Sequence, residues 1–79
     1  MTQTSDPLLP PPALVRLGLP TVYMGRRRYI DFMTGDVYEI SDMAAVQHAS
    51  ETLARTGLTA LSNADWEQWI RTHGRHIPS

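Results

Sequence analysis

The stretch that most constrains this chain is Arg27 to Ile40, RRYIDFMTGDVYEI. Two runs rich in β-branched and aromatic residues flank Met33-Thr34-Gly35-Asp36. Such runs around a glycine-containing turn signal a β-hairpin. The pleat selects the register. A two-residue loop at Thr34-Gly35 pairs Ile30 with Glu39 and Tyr29 with Ile40, which mixes apolar and charged side chains on each face. A three-residue loop, Met33-Thr34-Gly35, pairs Phe32 with Asp36, Ile30 with Tyr38 and Arg28 with Ile40. Ile30, Phe32, Tyr38 and Ile40 then share one face, and Tyr29, Asp31, Val37 and Glu39 the other. That register separates core from solvent, so it is the one expected. It also sets Gly35 in the left-handed position of a type I turn with a G1 bulge.

A lone two-stranded hairpin is marginal in water. Pro20 to Met24 (PTVYM) is the candidate third strand, with Gly25-Arg26 as a type II′ turn. Pro20 has no N–H to give a ladder, so this strand belongs at the edge of a simple meander.

Two helices follow. Ser41 is a good N-cap and Asp42 suits a first turn, so the first helix is expected over about residues 42–56. Met43, Val46, Ser50 and Leu53 form its stripe, Ala44, Ala45, Ala49 and Ala54 widen it, and Gly57 caps its end. The second helix, about 63–73, has the stronger start. Ser62 and Asp65 make a capping box, and Leu61 with Trp66 a hydrophobic staple. Trp66, Trp69, Ile70 and His73 share one face, and Gly74 ends the helix. The expected fold is therefore α+β: a small antiparallel meander of two to three strands, with two helices packed on its apolar face. Val46, Leu53, Trp66 and Ile70 are the helical side chains expected to meet Ile30, Phe32, Tyr38 and Ile40.

The ends read differently. Met1 to Pro12 (MTQTSDPLLPPP) is proline-rich and favours polyproline II, so residues 1–12 are expected as a flexible tail. Pro7-Leu8-Leu9-Pro10 has PxxP spacing, but that spacing is common by chance. Ala13 to Leu19 is an apolar arm whose partner, its own sheet or another chain, short-range periodicity does not choose. The folded domain is expected over residues 13–74, with residues 75–79 as a tail.

Composition narrows the function. A chain of 79 residues is one domain at most, and at this size only about 60% of the unfolded surface is buried on folding. There is no cysteine to staple it. Self-association is one remedy for so small a core, so a homodimer is among the expectations. The formal charge is −1, and all seven basic residues are arginine. That balance argues against broad affinity for nucleic acid or anionic lipid. No apolar run has the length of a membrane span. The N-terminus lacks the basic and apolar regions of a signal peptide, so a cytoplasmic location is expected, with no membrane partner.

Arg26, Arg27, Arg28 and Tyr29 form the strongest basic cluster, with Tyr23 nearby as a second base-stacking ring. Neighbouring strand residues point to opposite faces, which divides the cluster. The helix pair does not suit base reading, because the second helix offers Trp66, Glu67 and Trp69 rather than Arg, Asn and Gln. His73 and His76, with His48, are poor metal ligands, as two of them lie at or beyond a helix end. Asp31, Asp36 and Glu39 have no apolar pocket to raise a carboxyl pKa. No nucleophile motif or phosphate-binding loop is present. No catalytic residue, metal or cofactor is therefore expected. Tyrosines, tryptophans and arginines are the residues that anchor interfaces, and a meander leaves a free edge. The first expectation is a non-enzymatic protein-protein interaction module: a small regulator, inhibitor or adaptor of bacterial or phage type. Arg27, Tyr29, Val37 and Trp69 are its expected contact residues. The second is a small nucleic-acid binder using Arg26, Arg27, Arg28 and Tyr29.

Overall fold

The computed structural model describes residues 8–11, 17, 18 and 21–78. A three-stranded antiparallel meander, β1 (Thr21–Tyr23), β2 (Arg26–Ile30) and β3 (Val37–Ser41), is followed by helices α1 (Asp42–Thr56) and α2 (Asn63–His73). A fourth strand, β4 (Arg75–Ile77), returns to the sheet, giving the order β1-β2-β3-β4. The expected α+β layout is present, and both helices have the expected bounds. The expected flexible tail over Met1 to Pro7 lies outside the described residues, as do residues 12–16, most of the apolar arm, and the Tyr23 side chain.

The hairpin forms in neither register weighed from the sequence. Tyr29 pairs with Tyr38, Ile30 with Val37, and Arg28 with Glu39. The cause is Asp31. Its N–H donates to the Asp36 carbonyl (2.8 Å), and its own carbonyl accepts from the Gly35 N–H (2.6 Å). Its side-chain Oδ1 accepts from the Met33 N–H at 2.9 Å, an Asx turn. These bonds take residues 31–36 out of the ladder as a loop, with Gly35 left-handed (φ 78°) as expected. Ending β2 at Ile30 turns its side chains over. Tyr38 and Ile40 face the helices as expected, but on β2 the inward residues are Tyr29 and Arg27. Tyr29 is fully buried, whereas Ile30 is 42% and Phe32 70% exposed.

The first turn also moves by one residue. β1 pairs Tyr23 with Arg26, so the loop is Met24-Gly25, not Gly25-Arg26. Both residues have positive φ, 51° and 75°, the type I′ pattern that matches strand twist.

The core shows why α1 is alanine-rich. Ala45 and Ala49 are fully buried against Leu17, Tyr29, Ile40, Trp66 and Ile70. Small side chains there bring the helix axis close to the sheet. Val46 and Leu53 are only half-buried, and Met43 is exposed. Leu17 settles one question about the apolar arm: it packs into its own domain, and its carbonyl accepts from the Ile30 N–H. Leu8 and Leu9, expected within the loose tail, also pack against this core.

Helix ends follow local chemistry. Ser62 Oγ accepts from the Asp65 N–H (3.2 Å) while Asp65 Oδ2 accepts from the Ser62 N–H (3.4 Å). That is the expected capping box. Ser41 precedes α1 but makes no side-chain cap. Gly57 closes α1 in the left-handed conformation, its N–H donating to the Leu53 carbonyl. Gly74 ends α2 differently, in extended backbone (φ −68°, ψ 148°). It feeds β4 onto β3, pairing Glu39 with Arg75, Tyr38 with His76 and Val37 with Ile77. Residues 75–77, expected as a tail, are therefore part of the sheet.

Candidate functional site

The helices cover one face of the sheet only. Alternation along the strands gives the other face Arg26, Arg28 and Ile30 from β2, Val37, Glu39 and Ser41 from β3, and Arg75 and Ile77 from β4. Two rows stand side by side on it. One is apolar, Ile30–Val37–Ile77, each pair directly opposite in register. The other is charged, Arg28–Glu39–Arg75, with Arg26 beyond it.

Glu39 is saturated. Its two carboxylate oxygens each take an arginine, Arg26 Nη1 and Arg28 Nε, both at 3.1 Å. Hydrogen bonds from Arg28 and then Arg26 hold its carboxyl below the usual range. Its side chain is 10% exposed, whereas those of the two arginines are more than half exposed. The cations therefore lie over the anion and present their remaining donors to solvent. Arg75 has no ion pair among the described residues. Three arginines against one glutamate leave this face positive. Phe32 and Met33, both largely exposed, follow Ile30 at its apolar end.

The residues expected to make partner contacts do not form one patch. Val37 lies on the open face. Arg27 points the other way, with Nε 3.1 Å from Asp42 Oδ1 and Nη1 donating to the Pro10 carbonyl (3.2 Å). It ties the N-terminal segment to the start of α1. Tyr29 is core, and burial raises its phenol pKa, partly offset by Arg27 beside it. Neither is a surface contact. The same division separates the expected nucleic-acid cluster: Arg26 and Arg28 face outward, Arg27 and Tyr29 inward. Nothing local in the sequence marks Ile77 and Arg75, because three residues before a proline carry no periodic signal. Counting Asp31 as a strand residue puts Ile30 on the wrong face; the Asx turn at Asp31 is the reason Ile30 lies on the open one.

Trp69 belongs to a different surface, the groove between α1 and α2. His48 stacks on it almost parallel, with centroids 4.6 Å apart and planes at 9°. His73 stacks more loosely, at 5.9 Å and 27°. Trp66 meets Trp69 edge-on at 5.8 Å. The groove has a volume of about 460 Å³ and is lined also by Thr52, Arg55 and Leu58. Burial, then His73 and Arg55, push the His48 pKa down against the opposing pull of Glu51 and Asp65.

Other charged groups hold the fold together. Arg71 bridges α2 to the β2–β3 loop, 3.3 Å from Asp31 Oδ2 and 3.4 Å from Glu67 Oε1. The Met33 N–H first, and Arg71 as well, hold the Asp31 carboxyl below its usual range. That leaves it ionised rather than poised as a proton donor. His76 Nε2 lies 3.1 Å from Asp36 Oδ1. Among the described residues no group of three metal-ligating side chains converges, and no helix is long and apolar enough to cross a membrane. No protein-family model matches this chain, and no curated protein or solved structure is significantly similar to it.

Proposed function

We propose that this chain is a non-enzymatic binding module that docks another protein on the open face of its sheet. The observation that carries the reading is the apolar row Ile30–Val37–Ile77 set directly beside the row Arg28–Glu39–Arg75. Helices bury the opposite face, so a sheet with apolar side chains on its outer face gains from a cover. The charge identifies the kind of cover. Glu39 is already satisfied by two arginines, so the face has positive charge to offer and no free anion. Its complement is a protein surface carrying carboxylates next to apolar side chains. A second copy of the chain, face to face, sets arginine against arginine, so this surface selects a different partner over a homodimer.

The test compares capture by the wild-type chain with capture by Val37→Asp and Ile77→Asp. Both changes put a carboxylate in the apolar row without touching the buried core. The expected result is a protein partner that survives nuclease treatment, binds wild type and is lost from both variants. Equal capture by all three chains refutes the assignment to this face.

A second reading rests on a specific observation, the gathering of Arg26, Arg28 and Arg75 on one face. It makes the chain a small nucleic-acid binder through phosphate contacts. Three such contacts give an affinity that falls with salt at a logarithmic slope of about −2 to −3. Loss of all captured material on nuclease treatment, together with that slope, selects this reading over the first.

A further inference from the structure

Arg55 sits in the last turn of α1 and lines the interhelical groove. It has no ion pair or hydrogen bond to another described residue. The neighbouring acids are engaged elsewhere. Asp65 accepts from the Ser62 N–H, and Glu51 accepts from Gln47 Nε2 at 3.3 Å. The groove lining thus holds one free guanidinium and two imidazoles, His48 and His73, beside one carboxylate, Asp65, that is engaged in the start of α2.

The rest of the lining sets Leu58, Leu61 and Trp69 among the polar side chains of Thr52, Thr56, Gln68 and Thr72. Leu58 is 55% exposed, Leu61 is half-buried, and the Trp69 ring carries His48 on its face. A groove of about 460 Å³ falls in the range of small-molecule sites, which run from about 300 to 1,000 Å³. Such sites combine an apolar lining with a few polar groups that fix orientation. Here the charged group left free to fix a ligand is Arg55.

We propose that the interhelical groove binds a small organic anion with an apolar body, of the aromatic-carboxylate class. The apolar body lies against Leu58, Leu61 and the Trp69 edge, and the carboxylate meets Arg55. The site is independent of the open sheet face, which lies on the other side of the molecule. Its pH dependence follows from the groups around His48: Glu51 and Arg55 on α1, and Asp65, Trp69 and His73 on α2. A bound anion favours protonated His48, so binding tightens as pH falls through the ordinary imidazole range, about 6.5, and below.

The experiment titrates the full chain with 3-phenylpropionate, with its neutral amide and with inorganic phosphate. Tryptophan fluorescence and amide NMR shifts report binding, above and below the imidazole range. The expected result is a saturable change at His48, Trp69 and Arg55 for the carboxylate, leaving Val37 and Ile77 unmoved. The amide and the Arg55→Gln variant should each bind about tenfold more weakly, the factor set by losing one charge-assisted hydrogen bond. Arg55 is exposed, so that variant leaves the core intact. The proposal is overturned if the amide binds as well as the acid, or if Arg55→Gln binds unchanged. It is overturned equally if phosphate matches the carboxylate, or if the carboxylate moves no groove residue up to its solubility limit.

Discussion

Gly74 joins α2 to β4, and its replacement by alanine tests whether that junction is packed or merely flexible. Its backbone, φ −68° and ψ 148°, is open to any residue, so alanine meets no conformational barrier there. If flexibility were its only property, Gly74→Ala would stabilise the protein by about 0.4–1 kcal/mol through the unfolded chain. The surroundings predict the opposite sign. An added Cβ falls against the Ile70 carbonyl oxygen, deep inside contact distance, and within 3.3 Å of both Ile40 Cγ2 and Tyr38 Cβ. Two of those atoms are held by the sheet and one by the helix backbone, so none is a flexible tip that turns aside. Overpacking of this kind costs about 1–3 kcal/mol, which leaves a net loss of roughly 1–2 kcal/mol. For a domain of this size that lowers Tm by about 4–16 °C. Urea and thermal unfolding followed by Trp66, which is 1% exposed, give the number. Amide exchange at Arg75–Ile77 locates the damage, because β4 is the element freest to move away. A variant as stable as wild type, or more stable, refutes the packing argument. It would also remove the reason for treating β4 as a fixed part of the open face.

Three further outcomes are expected. Met24 is left-handed and 82% exposed; Met24→Asn gives the Asn-Gly pair that type I′ turns favour and should stabilise by about 0.5–1 kcal/mol, read as a higher urea midpoint. Tyr29→Phe should change stability by less than about 1 kcal/mol, because the buried hydroxyl makes no well-formed hydrogen bond among the described residues. Tyr29→Ala should cost about 3–5 kcal/mol, and an unchanged midpoint for the alanine variant would return Tyr29 to the surface. Acid should destabilise the protein from two sources. His48 has a lowered folded pKa, so unfolding takes up its proton and stability drops once pH nears the ordinary imidazole value, about 6.5. Asp31, Asp36 and Glu39 also have lowered folded values. Their contribution is present at neutral pH and is lost as pH falls through the ordinary carboxyl range toward those lower values. A urea midpoint that climbs on acidification would contradict both.

What the sequence made legible depended on the range of the signal. Helix bounds are local, and the Ser62–Asp65 box with Gly57 and Gly74 placed them correctly. Strand faces are not local in the same way, because they depend on where pairing stops. One aspartate decided it: Asp31 bonds Met33 through its side chain and Asp36 and Gly35 through its backbone. A register one residue away from the expected one exchanged Ile30 for Tyr29 in the core. The hydrophobic pattern alone preferred isoleucine inside. Tyrosine wins by burying a larger ring, with Arg27 beside it ion-paired to Asp42 and hydrogen-bonded to the Pro10 carbonyl. Those two partners lie far away in sequence, which is why Arg27 read as a free surface cation. β4 was invisible for another reason: three residues have no period, and its strand character comes from the unfilled edge of β3.

The two candidate surfaces lie on opposite sides of a two-layer fold, yet three consecutive residues connect them. His73 stacks on Trp69 in the groove. Gly74 packs under Tyr38 and Ile40. Arg75 stands opposite Glu39 on the open face. One short junction thus serves as the wall of one surface and the edge of the other. That economy explains why the junction carries a glycine without a left-handed backbone. The position needs no special dihedral angle. It needs room, because the end of a helix, the middle of a sheet and the start of an edge strand converge there on one Cα atom.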